Sequence, residues 1–393
     1  MKKYMLSLIV LAILVPLSTS CTTNNKSSVI QPIVIKRHSP PKHSKPKGYV
    51  ALNAGRSPLS PLVADFNNDG YNDIAVVSHG DNCLKIFWGG QNRTFKLGPV
   101  YGKDKVGHHP GKITLVDWNE DGLVDILLAA EGNFEVQYWE NSGTGFTLKK
   151  VVSPPINGLC IKSADLDGDG LRDIVLTSHH ANYLIILWGE NKDFKFTVQK
   201  IPTGQMSKNI EIGDWNSDDR PDLFWVETVP GSVVVALNKG KRKFVKFYLK
   251  KPGTPIGMVK DAPMYVKLAD LDGNGCLDAV TTFEVLKDKA CMIFYGNCRG
   301  GISSIQTISA PRLGFRGLAV RGGISPNKAM LAIGEHERIF VARKKQRSWK
   351  LRAKPAGKLP LDMNFFDIDK DGELDLIFAN QIEGTVGIIY GPL

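Results

Sequence analysis

Residues 165–173 read Asp-Leu-Asp-Gly-Asp-Gly-Leu-Arg-Asp. Oxygen-bearing side chains stand at positions one, three, five and nine, with glycine at six. That donor set suits a hard cation, Ca²⁺ above all, and the glycine permits the sharp turn that would fold the loop around it. The pattern is written six times: 65–73 (DFNNDGYND), 117–125 (DWNEDGLVD), 165–173, 214–222 (DWNSDDRPD), 270–278 (DLDGNGCLD) and 367–375 (DIDKDGELD). Each copy lies between two apolar runs.

The first aspartates are 52, 48, 49, 56 and 97 residues apart. The last gap is nearly double the others, so it hides a unit whose loop has lost its acids. A period of this length marks a repeat architecture. After each loop comes an apolar run (Ile74–Ser78, Ile126–Ala130, Ile174–Ser178), a short turn, a second run ending in aromatics (Leu84–Trp88, Glu135–Trp139, Tyr183–Trp188), and a weaker polar run. Short runs rich in Val, Ile, Leu and aromatics, punctuated by Gly and Asn, read as strands. No stretch past the leader sustains helical periodicity. The expected fold is therefore all-β: a seven-bladed propeller with Ca²⁺-binding loops in most blades. Its sixth unit spans Gly317–Val320, the turn RGGISPN (321–327), Ala329–Ile333, Arg338–Ala342 and Trp349–Arg352. The seventh unit ends after three strands, so Tyr49–Leu52 is expected to pair beside Thr385–Tyr390 and complete it, removing the exposed edges of an open array.

These units resemble FG-GAP/VCBS repeats, the blades of integrin α-subunit propellers and of many bacterial surface proteins. The Asp loops and the aromatic-Gly steps Trp88-Gly89, Trp188-Gly189 and Tyr295-Gly296 carry the likeness, over about residues 49–393. The resemblance implies Ca²⁺ loops between the first and second strands of a blade, on one face. Unit four departs from the pattern, with Asp219 at the glycine position, and unit six lacks it. The expected ligands are Asp65, Asn67, Asp69 and Asp73; Asp117, Asn119, Asp121 and Asp125; Asp165, Asp167, Asp169 and Asp173; Asp270, Asp272, Asn274 and Asp278; and Asp367, Asp369, Asp371 and Asp375. Clustered carboxylates repel strongly without a cation. The bland alternative is a set of Asx-turn hairpins that need no ion.

Residues 1–20 read as a secretory signal: Lys2 and Lys3, an apolar core over Met5–Leu17, then Ser18-Thr19-Ser20. Cys21 after those small residues resembles the lipidated residue of a bacterial lipoprotein, and Thr22 rather than Asp favours the outer membrane in the Gram-negative sorting rule. Residues 21–48 would be a flexible tether, with Lys26, Lys36, Arg37, Lys42, Lys45 and Lys47 and no acid. Much of the net charge of +11 is therefore leader and tether. That charge could hug an anionic surface or simply solvate a spacer. Residues 49–393 form the propeller. Five further cysteines allow a disulfide, a pair among Cys276, Cys291 and Cys298 being favoured by their closeness in one unit.

On the other face, turns after each second strand carry His79, Glu131, His179, His180, Glu227, Glu284 and His336, the expected ligand-binding surface. Inter-blade turns are expected to add His108, His109, Lys162, Lys208, Asp261 and Arg316. The basic runs Lys239–Lys251 and Arg338–Lys354 suit either a polyanion or protected sheet edges. The sequence thus reads as an exported, lipid-anchored, calcium-binding interaction module. Its partner would be a protein or glycan of the cell envelope or surface, not nucleic acid. The alternative is a polysaccharide lyase acting on uronate glycans at the channel mouth, with histidines as acid-base groups.

Overall fold

The computed structural model describes residues 49–251, 262–283, 290–309, 314, 316–322, 329–345 and 348–393. The signal, Cys21 and the tether, most of the blade-six turn, Asp261 and Glu284 lie outside the described residues.

Seven four-stranded antiparallel sheets follow one another along the chain. In the first six blades the strands are sequential. Blade one, for example, runs Pro58–Ala64, Asp73–Ser78, Cys83–Gly90 and Thr94–Tyr101. Blade seven takes Pro360–Phe366, Asp375–Asn380 and Thr385–Ile389 from the end of the chain and its outermost strand, Tyr49–Asn53, from far upstream. The register runs from Tyr49 opposite Ile389 to Asn53 opposite Thr385. Each innermost strand touches the innermost strand of the next blade, and that of blade seven touches that of blade one. The sheets therefore close into a ring.

Burial explains why the second run of every unit is so uniformly apolar. Asp73–Ser78, Asp125–Ala130 and Asp375–Asn380 are buried along their whole length, because neighbouring blades cover both faces. Outermost strands such as Thr94–Tyr101 and Lys195–Pro202 are mostly exposed or half-buried. Among the described residues the core is seven clusters, each between two adjacent blades. Trp118, Tyr138 and Phe194 pack between blades two and three. Ile74 and Val76 meet Val386 and Ile388 where blade one meets blade seven.

Five of the seven innermost strands depart from regular pairing. Register shifts between Leu59 and Leu62, and between Leu361 and Asn364, mark bulges. Within them Ser60 and Asp362 take left-handed backbone, φ 53° and 43°. Bulges re-aim side chains, and here Asp362 joins a buried network. It pairs with Lys112 at 2.5 Å and accepts the Tyr265 hydroxyl at 2.9 Å and the Ser60 N–H at 2.9 Å. Nearby, Glu211 pairs with Lys162 at 3.0 Å and Lys267 at 2.7 Å. These groups, contributed by blades one to five and seven, line a cavity of about 260 Å³ among the inner strands. Lys162 and Lys208 thus sit on inner strands, Cys160–Ala164 and Gln205–Gly213, rather than on the inter-blade turns expected for them. Lys162 stands in regular register opposite Val175, whereas Lys208 lies within the bulge between Ser207 and Ile210.

Candidate functional site: acidic loops and a histidine rim

The acidic loops share one backbone shape. In blade one, Asp65 accepts the N–H groups of Asp69 (3.1 Å) and Gly70 (2.9 Å), and Asp69 accepts that of Tyr71 (2.8 Å). Blades two, four and seven repeat these bonds through Asp117, Asp214 and Asp367. Blades three and five close on the same N–H of position six through Asp165 and Asp270. Position six is left-handed throughout, from Gly70 at φ 91° to Asp219 at φ 62°. Position four is left-handed too: Asn68, Glu120, Gly168, Ser217, Gly273 and Lys370. In the sequence, the recurrent glycine announces only the first requirement. The second was signalled by Gly168, Gly273 and Asn68, residue types that tolerate this region.

The ninth residue has a role the pattern alone did not reveal. Asp73 is fully buried at the start of its strand. One oxygen accepts the Phe66 N–H (2.9 Å) and the other the Gly89 N–H (2.8 Å). Asp125, Asp173, Asp222 and Asp278 do the same between their own loop and third strand, and Asp375 between its loop and Gly391, just past the third strand. Burial pushes Asp73, Asp173, Asp222 and Asp375 up to about 6 and Asp278 up to about 7, against the lowering effect of those N–H groups. This explains the aromatic-Gly steps. The residue after the aromatic gives its N–H to the aspartate, and a Cβ on Gly89 would meet the Asn72 carbonyl oxygen at 2.1 Å.

The loops fit a hard cation. Ligand oxygens of Asp165, Asp167 and Asp173 lie within 4.8 Å of one another, as do those of Asp270, Asp272 and Asp278, and of Asp367, Asp369 and Asp371. One oxygen of Asp167 is buried with no hydrogen-bond partner, an unpaired acceptor whose cost a cation would relieve. Several loops also receive a cation from the following blade. Arg93 of blade one pairs with Asp369 (2.5 Å) and Asp371 (3.0 Å) of blade seven, its guanidinium over the Tyr390 ring. Arg242 of blade four pairs with Asp167 of blade three at 2.7 Å over the Trp188 ring. Lys192 of blade three reaches Glu120 of blade two (2.6 Å), and Lys344 of blade six the Leu271 carbonyl of blade five (2.9 Å). A disulfide, Cys276–Cys298, ties the blade-five loop to its own outer hairpin, while Cys83, Cys160 and Cys291 are free and buried.

The turns at the opposite end of the second strands gather most of the expected histidines on blades one to three. His79 Nδ1 lies 2.9 Å from the Pro110 carbonyl oxygen, and its Nε2 lies 3.3 Å from His109 Nδ1. Glu131, His179 and His180 converge, with Glu131 Oε1 3.3 Å from His179 Nε2 and 3.8 Å from His180 Nε2. Burial pushes Glu131 up to about 7. Burial, together with the charges of His180, Lys208 and His79, lowers His179 to about 4. Glu227 is instead internal. It is buried and accepts the Gly204 N–H (2.8 Å) and the Trp225 indole N–H (3.0 Å), so it braces its turn and is not available as a surface ligand. His336 is exposed on blade six, its carbonyl accepting the Leu359 N–H at 2.7 Å.

Four overlapping stretches, 65–128, 117–176, 165–225 and 214–281, match the FG-GAP-like repeat. The chain belongs to the FG-GAP-like repeat family. This FG-GAP-like chain is 26% identical over 264 residues to the human T-cell immunomodulatory protein, covering 56% of this chain and 42% of that one. It is 24% identical over 263 residues to the T-cell immunomodulatory protein homolog of Plasmodium falciparum, covering 61% and 35%. It therefore spans less than half the length of these relatives. They are eukaryotic and lend no support to the bacterial lipoprotein reading. Among solved structures, a chain of BBS1N in complex with ARL6DN, soaked with mercury, aligns at TM-score 0.59 and 12% identity over 87% of this chain and 95% of that one. An Agrocybe aegerita lectin that recognises non-reducing terminal N-acetylglucosamine aligns at 0.56 and 18%, over 85% and 86%. At these identities the likeness establishes the propeller fold alone.

Proposed function

We propose that this propeller is an exported interaction module, anchored through Cys21, which presents its histidine-bearing rim to a protein or glycan of the cell envelope or surface. One observation carries the reading. The inner strands are cross-linked by the Lys112–Asp362–Tyr265 and Lys162–Glu211–Lys267 networks, whereas His109 and His180 stay accessible on the rim. A ligand would therefore meet the turns rather than thread the ring. The Cys276–Cys298 bond supports export, since disulfides persist in oxidising compartments. Structural neighbours include one in complex with ARL6DN and one that recognises N-acetylglucosamine, so both partner classes are worth testing.

In blades one, two, three, five and seven, the side chains at positions one, three, five and nine would hold Ca²⁺. The ion would neutralise the clustered carboxylates and staple each hairpin. Chelation should then lower the melting temperature of the full chain and millimolar calcium should restore it; an unchanged melt would count against structural ions. For the binding reading, the full chain and a His109→Ala/His180→Ala variant are to be compared on glycan arrays and by cross-linking in envelope extract. Selective capture that the variant loses is expected, and equal capture by both would remove the rim from the binding surface. Release of unsaturated product from a uronate polysaccharide, lost in the same variant, would make the protein a lyase instead.

A further inference from the structure

The rim holds a second constellation, distinct in chemistry from the acidic loops. Glu131 directly follows the second strand of blade two, Asp125–Ala130. His179 and His180 follow the second strand of blade three, Asp173–Thr177, after Ser178. Two separately folded sheets thus deliver one carboxylate and two imidazoles to one point. Their donor atoms all lie within 4.8 Å of one another. Two donors at tetrahedral angles, each 2.0–2.2 Å from a metal, stand ~3.4 Å apart, and Glu131 Oε1 and His179 Nε2 stand 3.3 Å apart. His180 Nε2, at 3.8 Å, needs only a small adjustment, and its side chain is 60% exposed and free to make it.

The surroundings favour a metal over an ordinary ion pair. Glu131 is only 6% exposed, and among the described residues the basic groups within salt-bridge reach of its carboxylate are the two imidazoles. A buried carboxylate without a permanent positive partner is costly. The site is also pre-formed. Gly132 donates its N–H to the His108 carbonyl (3.0 Å), and Asn133 Oδ1 accepts the His108 N–H (3.0 Å). Those bonds tie the Glu131 turn to the segment joining blades one and two. Ser178 Oγ accepts the His180 N–H at 3.0 Å and is itself held by Asn157 (2.9 Å).

We propose that Glu131, His179 and His180 bind one divalent transition-metal ion of the zinc class on the rim opposite the acidic loops. Two nitrogens and one oxygen suit zinc and its neighbours and do not suit calcium, which takes oxygen ligands. Three protein ligands leave a coordination position open, for water or for a donor group of a bound partner. This metal site depends on neither the calcium loops nor the partner.

The test uses the full chain, stripped with chelator and returned to millimolar calcium so that the acidic loops are supplied. Titration with Co²⁺ should give one equivalent of bound ion with visible ligand-field bands, which Zn²⁺ then displaces. His180→Ala, at an exposed side chain, should fold normally by circular dichroism and bind Co²⁺ at least about tenfold more weakly, since even outer-shell partners of a metal are worth that much. Glu131→Gln should weaken binding likewise, while Asp165→Asn and His109→Ala should leave it unchanged. The proposal is overturned if calcium-loaded protein binds no Co²⁺ or Zn²⁺, if a folded His179→Ala/His180→Ala variant still binds one equivalent, or if Asp165→Asn or His109→Ala removes the site.

Discussion

A single aspartate shows how one residue type carries two duties in this chain. The ninth residue of each loop looks, in sequence, like one more ligand. In the structure its two oxygens each hold a backbone N–H, so it is first a joint between loop and strand. Blade four separates the duties, because Asp219 displaces the glycine there and its loop is not among the expected ligand sets. Asp222→Ala would strand the Trp215 and Asn238 N–H groups. Leaving buried donors unmet costs ~1–3 kcal/mol each, so urea denaturation should show a loss of about 3 kcal/mol with or without calcium. At Asp219 the sign reverses. A non-glycine residue at φ 62° carries a left-handed cost of ~1–2 kcal/mol, so Asp219→Gly should raise stability by about 1 kcal/mol in the same measurement. Position six was legible because glycine announces it. The ninth-residue joint was not, because its acceptors meet N–H groups, which every residue but proline possesses.

At the scale of the element, the strands were legible because packing wrote them plainly. Second strands lie between two blades, so their apolar runs are unbroken, and the sixth blade emerged from spacing alone although its loop bears no acids. The hairpin contacts between neighbouring blades were not legible. Arg93, Lys192 and Arg242 sit in polar turns like any other basic residue, and their carboxylate partners lie on the preceding blade. The Cys276–Cys298 link was only narrowed to three candidates by sequence. It closes a loop of 22 residues, for which the chain-entropy account gives ~3 kcal/mol. Cys276→Ser should lower unfolding free energy by about that much, and reductant should remove the difference between variant and wild type.

Across the whole molecule, the ring is held by groups far apart in sequence. Lys112 and Asp362 are 250 residues apart, and no local pattern could have paired them. Burial raises the Glu211 carboxyl, but Lys162 and Lys267 outweigh it and hold it at about 2. Asp362 is likewise lowered, by Lys112 and its hydrogen bonds against burial. Depressed carboxyls give stability that is fully present above their unfolded values, 3.8 for Asp362 and 4.5 for Glu211, and is lost as pH falls, for Glu211 toward about 2. The melting temperature should therefore drop across that window, and Glu211→Gln should flatten that part of the drop while lowering the plateau at neutral pH.

The outermost strand of blade seven leaves a ribosome before anything else in the ring, and its partner Thr385–Ile389 leaves after every other strand of the ring. At the ~5–20 residues per second of synthesis, residues 49–53 wait roughly twenty seconds to a minute for their mate. Six sheets can assemble in that interval, while the first strand of the propeller stays unpaired and open to capture by a neighbouring nascent chain. The latch that abolishes the free edge in the finished protein is thus the longest-lived free edge during its making.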